Sequence, residues 1–307
     1  MSLKIIFMGT PEFAVPILES IHNSKHNLKA VYTRPPNKKN RGQKLVASPV
    51  FQFSQKNNIL VRCPEEFNHN EYSILKSLEP DVVVVVAFGK IIPKSILEIP
   101  KSLFINIHAS ILPKWRGAAP IQRAIMNMDK ESGVSIMKII PELDAGPVMK
   151  IVKTKISSET NSESLSSELS RLSCIALLES LELIEAKKEK FINQDSTQAT
   201  YAKKINKDES KIKWDNDAKK IIAKINALYP APGSWFEMNK VRIKILKAVE
   251  VNKKGKPGEI IDKNFTIGCS KNAIQILKLQ PEGKKSMNSS DFLLGRKLEI
   301  GKILNGL

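Results

Sequence analysis

The 307-residue chain has little of what builds covalent or metal-held scaffolds. Its three cysteines, Cys63, Cys174 and Cys269, stand far apart, and its four histidines, His22, His26, His69 and His108, form no cluster. That is neither a disulfide framework nor a zinc spacing, so no metal is expected and the composition fits a reducing cytoplasm. Long hydrophobic runs are missing too. The longest, Val82–Phe88, is too short to span a bilayer. Met1-Ser2-Leu3-Lys4 leads straight into a strand pattern, which leaves no signal peptide. A cytoplasmic monomer is the expected state. Acid is absent from one whole segment: Ser20 to Pro64 holds no Asp or Glu against nine bases. Codon bias adds lysine, but it does not remove acids from one contiguous stretch.

The formal net charge is +18, which points to a polyanionic partner. The charge is uneven. From Asp208 onward there are 20 bases and 11 acids in 100 residues, whereas the preceding 207 residues carry 29 and 20, so the tail is about twice as basic per residue. A further absence concerns cofactors. Gly9 stands where a dinucleotide-binding turn has its first glycine, but Pro11 and Ala14 occupy the neighbourhood of the others. NAD is therefore not expected, and Gly9-Thr10-Pro11 reads as a tight strand-to-helix turn.

What is present alternates. Apolar strand patterns at Leu3–Met8, Leu28–Thr33, Asp81–Phe88, Phe104–His108 and Gly133–Ile139 are separated by helical spacing at Phe13–Ile21, Pro49–Asn57, Glu71–Leu78 and Ala119–Met128. Five consecutive valines, Val82–Val86, suit a strand covered on both faces. The alternation predicts an α/β fold with a doubly wound, mostly parallel sheet, whose ligands bind beyond the carboxyl ends of the strands. A long helix over Glu163–Ala186 closes this part. After it the rhythm changes. A short helix, Asp217–Leu228, is followed by strand-like runs at Ser234–Met238, Val241–Val251, Gly258–Ile261, Thr266–Cys269 and Ala273–Leu279, which read as a small β-barrel. The expected division is 1–188 for an α/β domain, 189–207 for a linker and 208–307 for the barrel. Trp235, Phe236 and Phe265 read as barrel core rather than base-stacking platforms.

The richest stretch is Ile105–Arg123. Asn106 and His108 alternate with Ile105 and Ile107, so an amide and an imidazole leave one face of a strand together. The strand runs into Pro113-Lys114-Trp115-Arg116-Gly117. Trp115 and Arg116 read either as site residues or as a core ring and a surface charge. Asp144, in Leu143-Asp144-Ala145-Gly146, follows another apolar strand; by itself it reads equally as a turn residue. An oxyanion donor, a proton handler and a group that orients it are what acyl or formyl transfer needs, and Asn106, His108 and Asp144 supply those types. Thr33–Pro49 is a basic loop long enough to be functional.

These segments resemble the folate-dependent formyltransferases that act on methionyl-tRNA. The resemblance rests on Phe7–Ala14, on Arg41-Gly42-Gln43-Lys44-Leu45 with Ser48-Pro49-Val50, on Ile105–Arg123, on Leu143–Pro147 and on Thr200–Ile205, in order over nearly the whole chain. It implies a Rossmann-like catalytic domain with a C-terminal OB-type barrel that binds tRNA. It further implies 10-formyltetrahydrofolate as donor, in a pocket lined by Ser110, Ile111, Leu112 and Pro113, and initiator methionyl-tRNA as acceptor, its end held by the loop with Arg41 and Lys44. Asn106, His108 and Asp144 take the catalytic positions. The segment Arg34–Asn40 departs from the usual loop sequence. Two rivals stand beside this reading. One is a formyltransferase for glycinamide ribonucleotide or an amino sugar, which needs neither basic loop nor basic tail. The other is an inactive tRNA-binding protein, which needs no Asn106, His108 or Asp144.

Overall fold

The computed structural model describes residues 2–39, 44–99, 101–294, 296 and 298–304. The chain divides into two compact units. One comprises residues 1–117, 132–154 and 166–201, the other 118–131, 155–165 and 202–307.

The first unit is built on β1 (Lys4–Gly9), β2 (Asn27–Tyr32), β3 (Asn37–Lys39), β4 (Lys44–Val46), β5 (Val61–Arg62), β6 (Val82–Val86), β7 (Leu103–His108), β8 (Arg116–Gly117), β9 (Glu131–Lys138), β10 (Val148–Lys155) and β11 (Tyr201–Ala202). Seven strands form one sheet in the order β10-β9-β7-β6-β1-β2-β5. The pairs β1–β2, β1–β6, β2–β5 and β6–β7 are parallel, and β7–β9 is antiparallel. Strand β6 is buried at every position, as its five valines require. Chain order runs outward on both sides of the β1–β6 pair, so the sheet has its topological switch there. Strand β10 was not legible. Its sequence VMKIVKTK alternates aliphatics with lysines and is half-exposed, which is edge-strand chemistry that resembles a surface loop.

Several helix ends are fixed by local chemistry. The Ser48 side chain accepts from Phe51 N, with Pro49 in the first turn, and Asn68 caps the helix His69–Ser77 by accepting from Glu71 N. The basic loop between β2 and the helix Pro49–Lys56 is tied at its base by a buried Thr33–Ser48 hydroxyl pair at 2.7 Å. Its arms pair as a hairpin, Asn37 opposite Val46 and Lys39 opposite Lys44.

In the second unit, β12 (Ser234–Met238), β13 (Val241–Val251), β14 (Thr266–Gly268), β15 (Ala273–Pro281) and β16 (Met287–Asn288) form an antiparallel sheet in the order β12-β13-β15-β14, with β16 also on β15. Gly258–Ile261, expected as a strand, contributes only the bridges Glu259–Ile303 and Ile260–Ile267. The helix Ala218–Leu228, capped by Asp217, turns Ile221 and Ile225 onto the sheet core with Ile243, Ile245, Ile274, Ile276 and Leu279. Phe236 and Phe265 are buried there, their ring centroids 6.2 Å apart. Trp235 is not. It faces the other side of β12, half-buried, with the Arg242 guanidinium stacked 3.9 Å above its ring. No described helix is long and apolar enough to cross a membrane.

Candidate active site

Strand β7 delivers Asn106 and His108 to one face, two residues apart, and ends at His108. Asp144 arrives by a different route. Because β9 runs antiparallel to β7, its carboxyl end at Lys138 lies opposite Ile105 rather than beyond His108. The turn over 139–147 therefore has to double back. It does so through a tight approach: Lys138 N donates to Pro147 O, and a Cβ on Gly146 would sit 1.8 Å from Lys138 O. Only glycine fits there. Asp144 itself is held at φ 49, a left-handed conformation that is uncommon for a residue with a side chain. His108 thus stands at the carboxyl end of its strand, whereas the strand that leads to Asp144 runs toward the opposite edge of the sheet.

The three side chains meet. Asp144 Oδ2 lies 3.7 Å from His108 Nδ1 and accepts from Gly117 N at 2.8 Å, while Asp144 Oδ1 lies 3.5 Å from Asn106 Nδ2. His108 Nε2 is 2.9 Å from Trp115 O. A carbonyl can only accept, so the proton of a neutral imidazole sits on Nε2, and Nδ1 is the edge turned to the carboxylate. His108 and Asp144 are mostly shielded from water, with side-chain exposures of 7% and 13%.

The loop after β7 is internally bonded. Ser110 Oγ donates to Lys114 O, Ser135 Oγ donates to Ser110 O, and Leu112 N donates to Ser135 Oγ. Ser110 and Leu112 are buried, and Ile111 and Pro113 are half-buried. Two large aliphatics are left in water: Leu143, next to Asp144 in sequence, is 65% exposed, and Ile91, in the loop leaving β6, is 91% exposed. Among the described residues no group of His, Cys, Asp and Glu could hold a metal.

Arg41 lies outside the described residues, and so does the Lys44 side chain. At the described root of that loop, Arg34 packs against the turn after β6: a Cβ on Gly89 would meet Arg34 Cδ at 3.3 Å. Sequence reasoning left Arg116 open between a site residue and a surface charge and missed its partner Gln194. Arg116 is no surface charge; it is 1% exposed, and its Nε and Nη2 donate to Gln194 Oε1 at 3.1 and 2.9 Å. Glu142 stands 3.9 Å from Nη1. Trp115 N and Arg116 N donate to Thr200 Oγ1 and Thr200 O. The expected linker thus supplies the partners of the loop, a pairing across about 80 residues that no local pattern reveals. A cavity of about 620 Å³ in the second unit, lined by Met126, Ile212, Lys220, Lys224 and others, contains none of these residues.

A doubly wound sheet with this Asn, His and Asp arrangement and a separate antiparallel domain defines a class. Residues 3–181 match the family described as Formyl transferase, and residues 204–297 match Formyl transferase, C-terminal domain; the chain belongs to the formyl transferase family. More particularly, it is similar over its length to proteins named methionyl-tRNA formyltransferase. One from Pelagibacter ubique (strain HTCC1062) is 49% identical over 304 residues, covering 98% of each chain. One from Methylobacterium nodulans is 40% identical over 306 residues, covering 98% of this chain and 99% of the relative. Among solved structures, HypX from Aquifex aeolicus in complex with tetrahydrofolic acid has a TM-score of 0.67 at 17% identity, covering 98% of this chain and 51% of that one. That likeness shows the fold alone.

Proposed function

We propose that this chain transfers a formyl group from 10-formyltetrahydrofolate to the α-amino group of methionine on initiator methionyl-tRNA, for translation initiation. The full-length similarity to methionyl-tRNA formyltransferases carries the substrate assignment, and the meeting of Asn106, His108 and Asp144 carries the chemistry. The bound donor supplies a formyl carbon on a nitrogen that can leave as an amine. Attack at that carbon places negative charge on the formyl oxygen. Asn106 Nδ2 has one N–H turned to Asp144 and a second free to meet that oxygen. His108, when protonated on Nδ1, donates along the same face, and the Asp144 carboxylate neutralises the imidazolium. The His108–Asp144 pair receives the proton that the amine loses and returns it to the leaving nitrogen.

Ser110–Pro113 forms the inner wall of the donor pocket. Arg41 and Lys44 hold the tRNA acceptor end, and the basic second unit meets backbone phosphates. The catalytic domain over 1–188 and the tRNA-binding domain over 208–307 are connected by the segment 189–207, which both links them in sequence and bonds to the loop around Arg116, and the enzyme works as a cytoplasmic monomer. The test is incorporation of formyl from 10-formyltetrahydrofolate into charged initiator tRNA, run beside glycinamide ribonucleotide and an amino sugar nucleotide. Turnover on tRNA alone supports the reading. Preference for either small acceptor, or none at all, overturns it.

A further inference from the structure

Gln194 lies between the two stretches that match the formyl transferase family, outside both. Its side chain is nonetheless fully engaged at the candidate site. The buried Arg116 guanidinium has no acceptor atom, so the amide atom it meets, at 3.1 and 2.9 Å, has to be the oxygen. That fixes the amide against a flip. Its nitrogen then points the other way and donates both hydrogens, to Asp144 O at 2.9 Å and to Gly146 O at 2.7 Å. Asp144 Oδ2 in turn accepts from Gly117 N, the residue after Arg116. Arg116, Gln194, Asp144 and Gly117 therefore close a ring that begins and ends on one dipeptide.

The ring surrounds the residue that most needs holding. Asp144 has a left-handed backbone on a turn that doubles back from an antiparallel strand, and its carboxylate has to stay within reach of His108 and Asn106. Such a conformation persists only where neighbours over-determine it. We infer that Gln194 is a positioning residue: locked by Arg116, it sets the main chain at Asp144 and thereby the carboxylate's distance from the reacting atoms. This rests on the proposed formyl transfer for its assay only.

Gln194→Glu separates this role from simple packing. The carboxylate can still accept from Arg116, now as an ion pair, but it has no hydrogens for Asp144 O and Gly146 O and faces them as oxygen against oxygen. The fold should survive, while the turn carrying Asp144 shifts. A displacement of about an ångström at reacting groups costs on the order of a hundredfold in rate, so kcat should fall by roughly tenfold or more, with both KM values within about twofold of wild type. Gln194→Met, of similar size and without either bond, should lower kcat similarly when rates are normalised to folded protein. The decisive measurement is the double variant. On an Asp144→Ala background, Gln194→Glu should lower kcat no further, because its effect runs through Asp144. A Gln194→Glu enzyme with kcat within twofold of wild type overturns the inference, and so does an equal loss with and without Asp144. Should the wild-type chain formylate a different amine, the function would be reassigned, and the same variants measured on that amine would still decide the role of Gln194.

Discussion

Replacing Asp144 by Asn tests the proposed chemistry with little change of shape. The amide oxygen can take the place of Oδ2 and keep its bond from Gly117 N at 2.8 Å, so the turn should stay anchored. The amide nitrogen then takes the Oδ1 place, 3.5 Å from Asn106 Nδ2, donor against donor. The main loss is charge. With Oδ2 3.7 Å from His108 Nδ1, a unit pair at an effective dielectric of about 20 interacts by about 4 kcal/mol. If an imidazolium forms on the way to the transition state, that is roughly a thousandfold in rate; partial exposure and relaxation bring the expected fall in kcat to between about a hundredfold and a thousandfold. Thermal unfolding should move by only a few degrees. The assay is single-turnover formylation of charged initiator tRNA with saturating donor, beside a melting curve. A folded Asp144→Asn enzyme within about fivefold of wild type would show that the reacting atoms do not feel this charge.

Asn106→Ala should cost about 3 kcal/mol of transition-state stabilisation, roughly a hundredfold in kcat with little change in either KM; steady-state kinetics with tRNA and donor varied separately checks it. Arg41→Ala should lower kcat/KM for initiator tRNA strongly, whereas Arg242→Ala, removing the guanidinium stacked on Trp235, should weaken initiator and elongator tRNA alike and flatten the salt dependence by about one counterion; equal behaviour of the two variants would make the loop merely a charged surface. His26, whose Nδ1 accepts from Leu3 N at 3.3 Å, has its pKa held below the ordinary histidine value, first by burial. Below about pH 6.5 the unfolded chain therefore binds a proton that the folded chain resists, and stability should decline as pH falls through that range. His26→Asn should flatten the dependence of melting temperature on pH between about 7 and 5, and an unchanged slope would assign the acid sensitivity elsewhere.

What the sequence made legible follows from local periodicity. The valine run became the buried β6, and the alternation at Ile105–His108 set Asn106 and His108 on one face because a strand leaves no other choice. The helix Pro49–Lys56 and the helix Ala218–Leu228 fall within a residue or two of their spacing-based limits because a Ser or Asp cap marks where each begins. The antiparallel sense of β9 had no such signal. An apolar run reads the same in either direction, and only pairing with β7 decides it. Trp235 misled for a related reason: in a strand that alternates correctly, Phe236 took the core and Trp235 the other face, where Arg242 covers its ring.

The unread part of the site is the part that sets its geometry. Asn106, His108 and Asp144 stand out because their chemistry is local to each motif, but a motif cannot hold itself. Asp144 keeps its left-handed turn because Gly146 lets the chain approach Lys138 and because groups about 50 residues away reach its carbonyl. Arg116 could be read as a site residue or as a surface charge because no acceptor for it is marked nearby in sequence; Gln194 and Ser196 accept its hydrogen bonds from about 80 residues on, and Glu142 stands 3.9 Å from Nη1. Burying a guanidinium without such acceptors would be prohibitive, so the polar segment after the helix Ser162–Glu185 has to fold back onto the first unit for Arg116 to be inside at all. The segment that composition marks as a tether is, by its hydrogen bonds, part of the wall of the candidate active site.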